Sequence, residues 1–166
     1  MKNSRILLKY IILIIFLLFG GCANEQRAQS VVNYTNQGLL NIAELERKAL
    51  ESYASVTGEN YTDDETLYKE LKENVIPLYS RFLDGLRNIN PEEEEIRRVH
   101  GIYLYGAELL LDGFKTLMFG IETNNKNIIS QANEKIIKGR EEVERWKLAL
   151  FELYKKYGVA EVKEKS

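Results

Sequence analysis

Histidine and cysteine, the side chains that most often bind metals or act as nucleophiles, occur once each in the chain, as His100 and Cys22. A carboxylate-bridged di-iron site in a helical protein needs two Glu-x-x-His pairs, but the residue three positions before His100 is Arg97. Met118 lies roughly 27 Å beyond His100 if both are on one helix, so the two cannot ligate the same haem iron. We therefore expect no metal and interpret His100 as a hydrogen-bonded residue at the edge of a core.

Acidic side chains cluster in one segment without helical periodicity, at Asp63-Asp64-Glu65 with Glu59 close by. A calcium-binding loop needs alternating ligands and a central glycine, and both are missing here. We interpret these carboxylates as solvated groups that cap a helix. The chain contains neither a nucleophile elbow nor a glycine-rich phosphate loop, so we assign no catalytic residue and do not expect an enzyme.

Cys22 follows a segment that has the order of parts of a signal peptide. Three basic residues within the first nine positions precede an apolar run over residues 10–19, and Gly20-Gly21-Cys22 comes next. Counted back to Ile6, the apolar run offers about 14 residues, whereas a membrane-spanning helix needs about 20. The residues Leu18-Phe19-Gly20-Gly21-Cys22 resemble the lipobox of bacterial lipoproteins.

This resemblance implies that residues 1–21 are a lipoprotein signal peptide, cleaved between Gly21 and Cys22. The Cys22 thiol would carry a diacylglycerol through a thioether, so covalent lipid such as palmitate is the only non-protein group expected. The lipid would hold the protein on the extracytoplasmic side of the cell membrane or the outer membrane, because two acyl chains anchor stably at about 0.8 kcal/mol per buried CH2. The alternatives are an ordinary secretory signal with an incidental cysteine and an uncleaved anchor.

Removal of residues 1–21 leaves 145 residues, a length that suits one domain. It also takes away three of the 23 basic residues and none of the 25 acidic ones, which leaves 20 against 25 and a net charge of −5. This acidic balance argues against nucleic acid as a partner and against a polybasic hold on anionic lipid. Because Cys22 is the only cysteine, the chain has no internal disulfide.

Helical periodicity runs through nearly all of the mature chain, and no alternating run is long enough to predict a strand. We expect a lipidated cysteine and polar tether at 22–29, an all-α domain at 30–158 and a polar tail at 159–166. Breaks near Gly58, at Asn90-Pro91 and at residues 124–127 divide the domain into four helices. Because short links cannot carry the chain back along rods of roughly 45 Å, the sequence predicts an up-down-up-down antiparallel four-helix bundle.

Several local signals indicate where these helices begin, bend and end. Thr62 and Glu65 have the spacing of a capping box, and Pro77 predicts a kink inside the second helix. In the first helix, the spacing places Val32 and Leu39 on the buried face. Asn90-Pro91 suits a cap followed by the first residue of the third helix, and Gly158 suits the end of the fourth.

Three glycines recur at seven-residue spacing between the two predicted core seams of the third helix: Gly106, Gly113 and Gly120. Each glycine costs about 1 kcal/mol relative to alanine in a helix, so their repetition indicates a need for space. Either a neighbouring helix approaches closely there, or the glycines form a groove for an apolar ligand or a partner helix.

An apolar stripe lies on the opposite side of the third helix and consists of Ile102, Tyr105, Leu109 and Phe119. In a simple bundle this side faces solvent. Either the helix is more deeply buried than such a bundle allows, or the stripe contacts a protein partner or a second copy of the chain.

These observations favour a membrane-anchored cell-envelope lipoprotein whose helical domain binds or interacts without catalysis. The alternative is a receptor for a small apolar ligand or a peptide bound within the bundle. The expected partners are the membrane, through the lipid anchor, and a protein or a second copy of the chain, and no nucleic acid.

Overall fold

The computed structural model describes residues 24–159, and within that range the chain is all-α, as predicted, with no strand. The predicted cleavage site at Gly21 and Cys22, the rest of the signal peptide and tail residues 160–166 lie outside the described residues. Four helical segments are joined by short links: α1 over 24–55, α2 over 64–87, α3 over Glu94–Glu122 and α4 over Lys126–Tyr157. None of the helices between residues 24 and 159 is both long and apolar enough to cross a membrane.

Helix α1 is already formed at residue 24, so residues 24–29 are helical where the sequence suggested a tether. Glutamate, glutamine, arginine and alanine, which favour helices, supply most of this stretch. Packing farther along extends the helix backwards, because Val31 is fully buried and Ala28 lies partly buried against the core. Polarity alone therefore gave the wrong expectation for this stretch.

A π-helical turn, Tyr34–Leu39, interrupts α1 before the regular helix Leu40–Ser55. The Leu40 N–H donates to the carbonyl of Thr35, five residues back, so the turn holds one more residue than an α-turn. The buried positions before Leu39 are consequently Val31 and Tyr34, whereas Val32, which we placed on the buried face, is only partly buried. That prediction was wrong because it assumed an unbroken 3.6-residue period.

Helix α2 also contains a π-helical turn, Leu71–Val75, between the α-helices Asp64–Glu70 and Ile76–Arg87. Pro77 lies two residues after the π turn, as the second residue of Ile76–Arg87. The predicted capping box was wrong, because the N-cap is Asp63, whose side chain accepts a hydrogen bond from the backbone N–H of Thr66.

The link between α2 and α3 is longer than the sequence suggested. Helix α3 begins at Glu94 after an N-cap residue, Glu93, whose side chain makes no capping hydrogen bond. The Arg97 guanidinium donates instead to the backbone carbonyls of Pro91 and Glu92, and this holds the link in place. The expectation that Asn90 caps a helix starting at Pro91 was therefore wrong by three residues.

Both ends of α4 follow the sequence signals closely. The side chain of Asn125 accepts hydrogen bonds from the N–H groups of Asn127 and Ile128, and Asn124 before it adopts a left-handed conformation with φ of 48°. At the other end Gly158 takes φ of 68°, the conformation that suits a glycine after the last helical turn.

Helices α3 and α4 pack side by side in opposite directions along their length. At one end the Glu95 carboxylate accepts hydrogen bonds from Lys156 and from the hydroxyl of Tyr157, and at the other end Gly120 lies against Ile129. The predicted core seams of α3 are buried, apart from the partly buried Ile121: Ile96, Tyr103, Leu110, Leu117, His100, Ala107 and Phe114. They pack against α1 and α2 through aromatic contacts.

Candidate functional site

The glycines Gly106, Gly113 and Gly120 face α4 at very short distance. A Cβ atom on Gly106 would lie 3.1 Å from both the Gly139 carbonyl oxygen and the Val143 nitrogen. A Cβ atom on Gly113 would lie 2.6 Å from Cγ1 and 3.2 Å from the nitrogen of Ile136. The backbone of α4 therefore fills the space beside these glycines, and close helix approach, the first of our two interpretations, describes the seam. The alternative of a groove at these positions is wrong.

The members of the apolar stripe on α3 differ in their exposure. Tyr105 and Phe119 are 45% and 51% exposed, whereas Ile102 and Leu109 are partly buried. The ammonium group of Lys138 lies 5.9 Å from the centre of the Tyr105 ring, so a cation of α4 borders the stripe. Tyr105 and Phe119 are also about 21 Å apart along the helix axis, so they mark two positions on one face rather than one compact site.

Exposed apolar side chains in the described residues are concentrated on α3 and α4. These two helices carry five of the seven large apolar side chains that are exposed: Tyr105, Phe119, Ile137, Leu148 and Phe151. On α4, Ile137 and Leu148 are eleven residues apart and therefore point to the same side of the helix. The hairpin of α3 and α4 thus carries more of the exposed large apolar side chains than the helices α1 and α2 do.

A cluster of polar and aromatic side chains lies inside the protein, around His100. The hydroxyl of Tyr34 lies 3.2 Å from Nδ1 of His100, which agrees with the expected hydrogen-bonded histidine. The rings of Tyr103 and Trp146 stack with their centres 3.8 Å apart. The Tyr103 hydroxyl donates to Glu46 at 2.6 Å, so the cluster connects α1, α3 and α4.

Burial changes the acidity of these groups. Removal from water raises the pKa of the Glu46 carboxyl, against the opposing effects of the Tyr103 hydrogen bond and the charge of Lys147. Burial also raises the pKa of Tyr103, with a further contribution from the Glu46 charge, and it lowers the pKa of His100. The fully buried hydroxyl of Tyr79 has no hydrogen-bond partner among the described residues. The interior therefore favours a neutral histidine and disfavours the ionised carboxylate.

Sequence reasoning found His100 but missed the rest of this cluster. Glu46 is one of many charged residues in α1, and only its contact with Tyr103 of α3 distinguishes it. A usable signal was present in the tyrosines, because a buried tyrosine hydroxyl normally needs a hydrogen-bond partner. Tyr103 falls on a predicted core seam, so a polar partner from another helix could have been anticipated.

Two larger cavities open at opposite ends of the helices. The first, of about 500 Å³, lies between the beginning of α1 and the α2–α3 link; we call it the amide-lined cleft, after Asn33, Gln37, Asn88 and Asn90. The second, of about 420 Å³, lies beside the α1–α2 link; we call it the far-end cavity, and it is lined by Tyr53, Leu67, Leu117, Ile121, Ile129 and Asp64 among others.

The carboxylates of the acidic cluster at the α1–α2 link accept hydrogen bonds from residues close to them in the chain. Asp63 caps α2, and Asp64 accepts a hydrogen bond from the hydroxyl of Tyr61 at 3.0 Å. Within residues 24–159, no three histidine, cysteine, aspartate or glutamate side chains are grouped so that they could hold a metal ion. Comparisons of the chain with protein-family models, curated proteins and solved structures give no match.

Proposed function

We propose that this chain is a lipoprotein of the cell envelope, anchored through Cys22, whose helical domain acts by binding another molecule. The N-terminal sequence supports the anchor, since basic residues, a short apolar run and Gly20-Gly21-Cys22 follow one another in the order that resembles a lipobox. The start of α1 adds a geometric consequence. Because the chain is helical from residue 24, only residue 23 would separate Cys22 from the described helix.

The four helices, in this proposal, form an up-down-up-down antiparallel bundle. Contacts between neighbours support it: Ile42 of α1 lies against Gly85 of α2, while Gly38, earlier in α1, lies against Ile89, just after the end of α2, so these two helices run in opposite directions. Helices α3 and α4 likewise run in opposite directions. In such a bundle, the anchor places the α2–α3 link and the end of α4 near the membrane, with the other two links pointing away.

The observation that carries the binding proposal is the apolar surface of α3 and α4. Tyr105 and Phe119 expose about half of their surface while contributing little to the core. The two side chains lie on one face of α3, and exposed apolar side chains that share a face can serve together as an interaction site. A protein that presents a complementary apolar surface, from another chain or from a second copy, therefore suits this face.

The anchor can be tested on the protein produced in bacterial cells. We expect metabolic palmitate label in the wild-type chain, none in Cys22→Ser, and a mature N-terminus at an acylated Cys22 by mass spectrometry. A control variant, Gln26→Ala, should keep the label, because it lies outside the lipobox. An unmodified N-terminus, or one that begins elsewhere, would contradict the proposal.

The binding face can be tested with the double variant Tyr105→Lys, Phe119→Lys. Both side chains are exposed, so the melting temperature should change little, while chemical cross-linking in intact cells should lose the complexes seen for the wild type. Leu40→Lys is a matched control, since Leu40 is 63% exposed but belongs to α1. Identical cross-linking patterns for the wild type and the double variant would show that this face binds nothing.

The far-end cavity favours a second function, that of a receptor for a small apolar ligand or peptide. Its lining is mainly aliphatic and aromatic with the carboxylate of Asp64 at one side, a composition typical of small-molecule sites. Titration with an environment-sensitive apolar dye should show saturable binding that Ile121→Lys abolishes and Ile137→Lys leaves unchanged. Unsaturable or equal binding in all three proteins would exclude this receptor function.

A further inference from the structure

The amide-lined cleft is a concave site that lies apart from the proposed binding face of α3 and α4. Its volume of about 500 Å³ lies within the range of roughly 300–1,000 Å³ that is usual for small-molecule sites. Its walls come from two parts of the chain, the beginning of α1 and the stretch from the end of α2 to the start of α3. It is therefore a concavity between packed segments rather than a dent in one helix.

The π-helical turn of α1 forms one wall of this cleft. Tyr34, Gln37 and Gly38, all within the turn Tyr34–Leu39, line it. A π turn is rare in proteins, and such turns occur frequently at functional sites. Because the turn holds one extra residue, the helix is rotated so that Tyr34 is buried and Gln37 lies at the cleft. The irregularity of α1 and the concavity thus coincide.

Both walls carry neutral polar side chains, and the wall formed by the α2–α3 link also carries two carboxylates. Asn33 and Gln37 on one side and Asn88 and Asn90 on the other each carry a carboxamide, which has two N–H donors and one oxygen acceptor. Among the described residues, no lysine or arginine lines the cleft, so it does not suit an anion. Within residues 24–159, Glu92 and Glu93 are the only charged residues of the lining, and both belong to the α2–α3 link.

Apart from Ser30, the remaining lining is apolar, and two of its side chains are well fixed. Ile96 is 3% exposed, and Tyr34 is held by the contact of its hydroxyl with His100. Ile89 and Pro91 add aliphatic surface from the link. A ligand for this cleft therefore needs hydroxyl or amide groups that both donate and accept hydrogen bonds, together with a C–H face that can lie on aliphatic carbon.

We infer that the amide-lined cleft binds a neutral saccharide. The vicinal hydroxyls of a sugar ring donate and accept at once, as the four carboxamides do, and the faces of the ring are apolar. This binding would be separate from the protein-binding face of α3 and α4 and does not depend on the lipid anchor.

The single histidine makes the test specific. His100 contacts Tyr34, so its imidazole signals in 1H–13C NMR report on the cleft wall, and no other histidine obscures them. We would titrate the full chain, purified in detergent, with two neutral probes, maltotriose and N,N′,N″-triacetylchitotriose. At least one of them should shift the His100 signals saturably.

Variants then assign the binding to the cleft. The double variant Asn33→Ala, Gln37→Ala should weaken the affinity at least tenfold, because it removes two carboxamides from one wall. Asn36→Ala is the matched control, since Asn36 is exposed in the same π turn but does not line the cleft. Circular dichroism should show equal helicity for all variants.

Three outcomes would overturn the inference. One is the absence of a saturable shift with either saccharide. Another is equal affinity of the wild type and the double variant, which places binding elsewhere. The third is tighter binding of spermidine than of either sugar, which would assign the cleft to cations held by Glu92 and Glu93.

Discussion

The hydroxyl of Tyr34 and Nδ1 of His100 lie 3.2 Å apart and join α1 to α3 inside the protein. Burial lowers the pKa of His100 below its ordinary value of 6.5, so the imidazole stays neutral in the folded state. A lowered pKa in the folded state stabilises the fold above the unfolded-state pKa, and this contribution is lost as the pH falls through the folded-state pKa. The wild type should therefore lose stability as the pH falls below about 6.5, the ordinary pKa of histidine.

His100→Gln tests this dependence, because glutamine retains a hydrogen-bonding group but does not titrate. Its melting temperature should fall less than that of the wild type between pH 7 and pH 5. The difference between the two proteins matters here, since carboxylates such as Glu95 titrate in both. An NMR midpoint for the His100 ring at or above 6.5 would contradict the prediction.

Glu46 should give the opposite dependence on pH. Burial raises the pKa of its carboxyl above the ordinary 4.5, so its contribution to stability is present below pH 4.5 and is lost as the pH rises through the folded-state pKa. The groups that face it are Tyr103 of α3, Tyr79 of α2 and Lys147 of α4. Arg140 and Glu144 line the small cavity beside it.

We therefore expect Glu46→Gln to melt at a higher temperature than the wild type at pH 8 and at nearly the same temperature at pH 4. The amide oxygen can still accept the hydrogen bond of Tyr103, so only the charge is removed. Glu51→Gln is the control, since Glu51 is exposed in an ion pair with Arg47, and such pairs contribute about 0–1 kcal/mol. A lower melting temperature of Glu46→Gln at pH 8 would show that the charge is stabilising.

The sequence predicted the composition of the core in α3 and α4 better than in α1 and α2, for a physical reason. Helices α3 and α4 are unbroken, so a 3.6-residue period places residues such as Leu110 and Ile136 correctly. Each π turn adds one residue to its helix and rotates everything before it by about 100°. No residue type marks such a turn, so the burial of Val31 in place of Val32 could not be read from spacing.

The candidate sites were predictable only where one helix determines them. Gly113 was found because its spacing on α3 is visible in the chain, although only the structure shows Ile136 against it. The amide-lined cleft could not be found, because Asn33 and Asn88 come together through the packing of α1 against the α2–α3 link. Glu46 is polar and partly exposed, so its pattern in α1 resembles that of the solvated charges around it.

Gly113→Ala should destabilise the protein even though alanine is the better helix former. The new methyl group would meet Ile136 at 2.6 Å and the carbonyl oxygen of Ala132 at 3.3 Å, and overpacking of this kind costs about 1–3 kcal/mol. The gain in helix propensity is about 1 kcal/mol, so a net loss and a lower melting temperature are expected.

Gly101→Ala is the matched control on the same helix. Nothing lies within 4 Å of a Cβ atom at Gly101, so this variant should gain about 0.5–1 kcal/mol from helix propensity. Chemical denaturation of both variants measures the opposite signs directly. Stabilisation of similar size at both positions would show that α3 and α4 do not need the glycine at position 113.

The π turn of α1 leads to a prediction about deletions. Deletion of Asn36, which is exposed, removes the extra residue of the turn Tyr34–Leu39, so the hydrogen bonds can return to the regular four-residue spacing. Val31 and Tyr34 then stand seven and four positions before Leu39 along an unbroken helix, on the same face as before. We expect this shortened protein to fold, with helicity close to the wild type.

Deletion of Lys48 is the control, because Lys48 is also exposed but lies in the regular helix Leu40–Ser55. There the deletion rotates the two halves of α1 by about 100° relative to each other and takes either Ala49 and Tyr53 or Leu39 out of the core. Thermal melts should show a much larger loss for the Lys48 deletion than for the Asn36 deletion. Equal losses would mean that the π turn is not an inserted residue but a shape on which the fold depends. If the Asn36 deletion folds but no longer binds a saccharide, the π turn serves the cleft rather than the core.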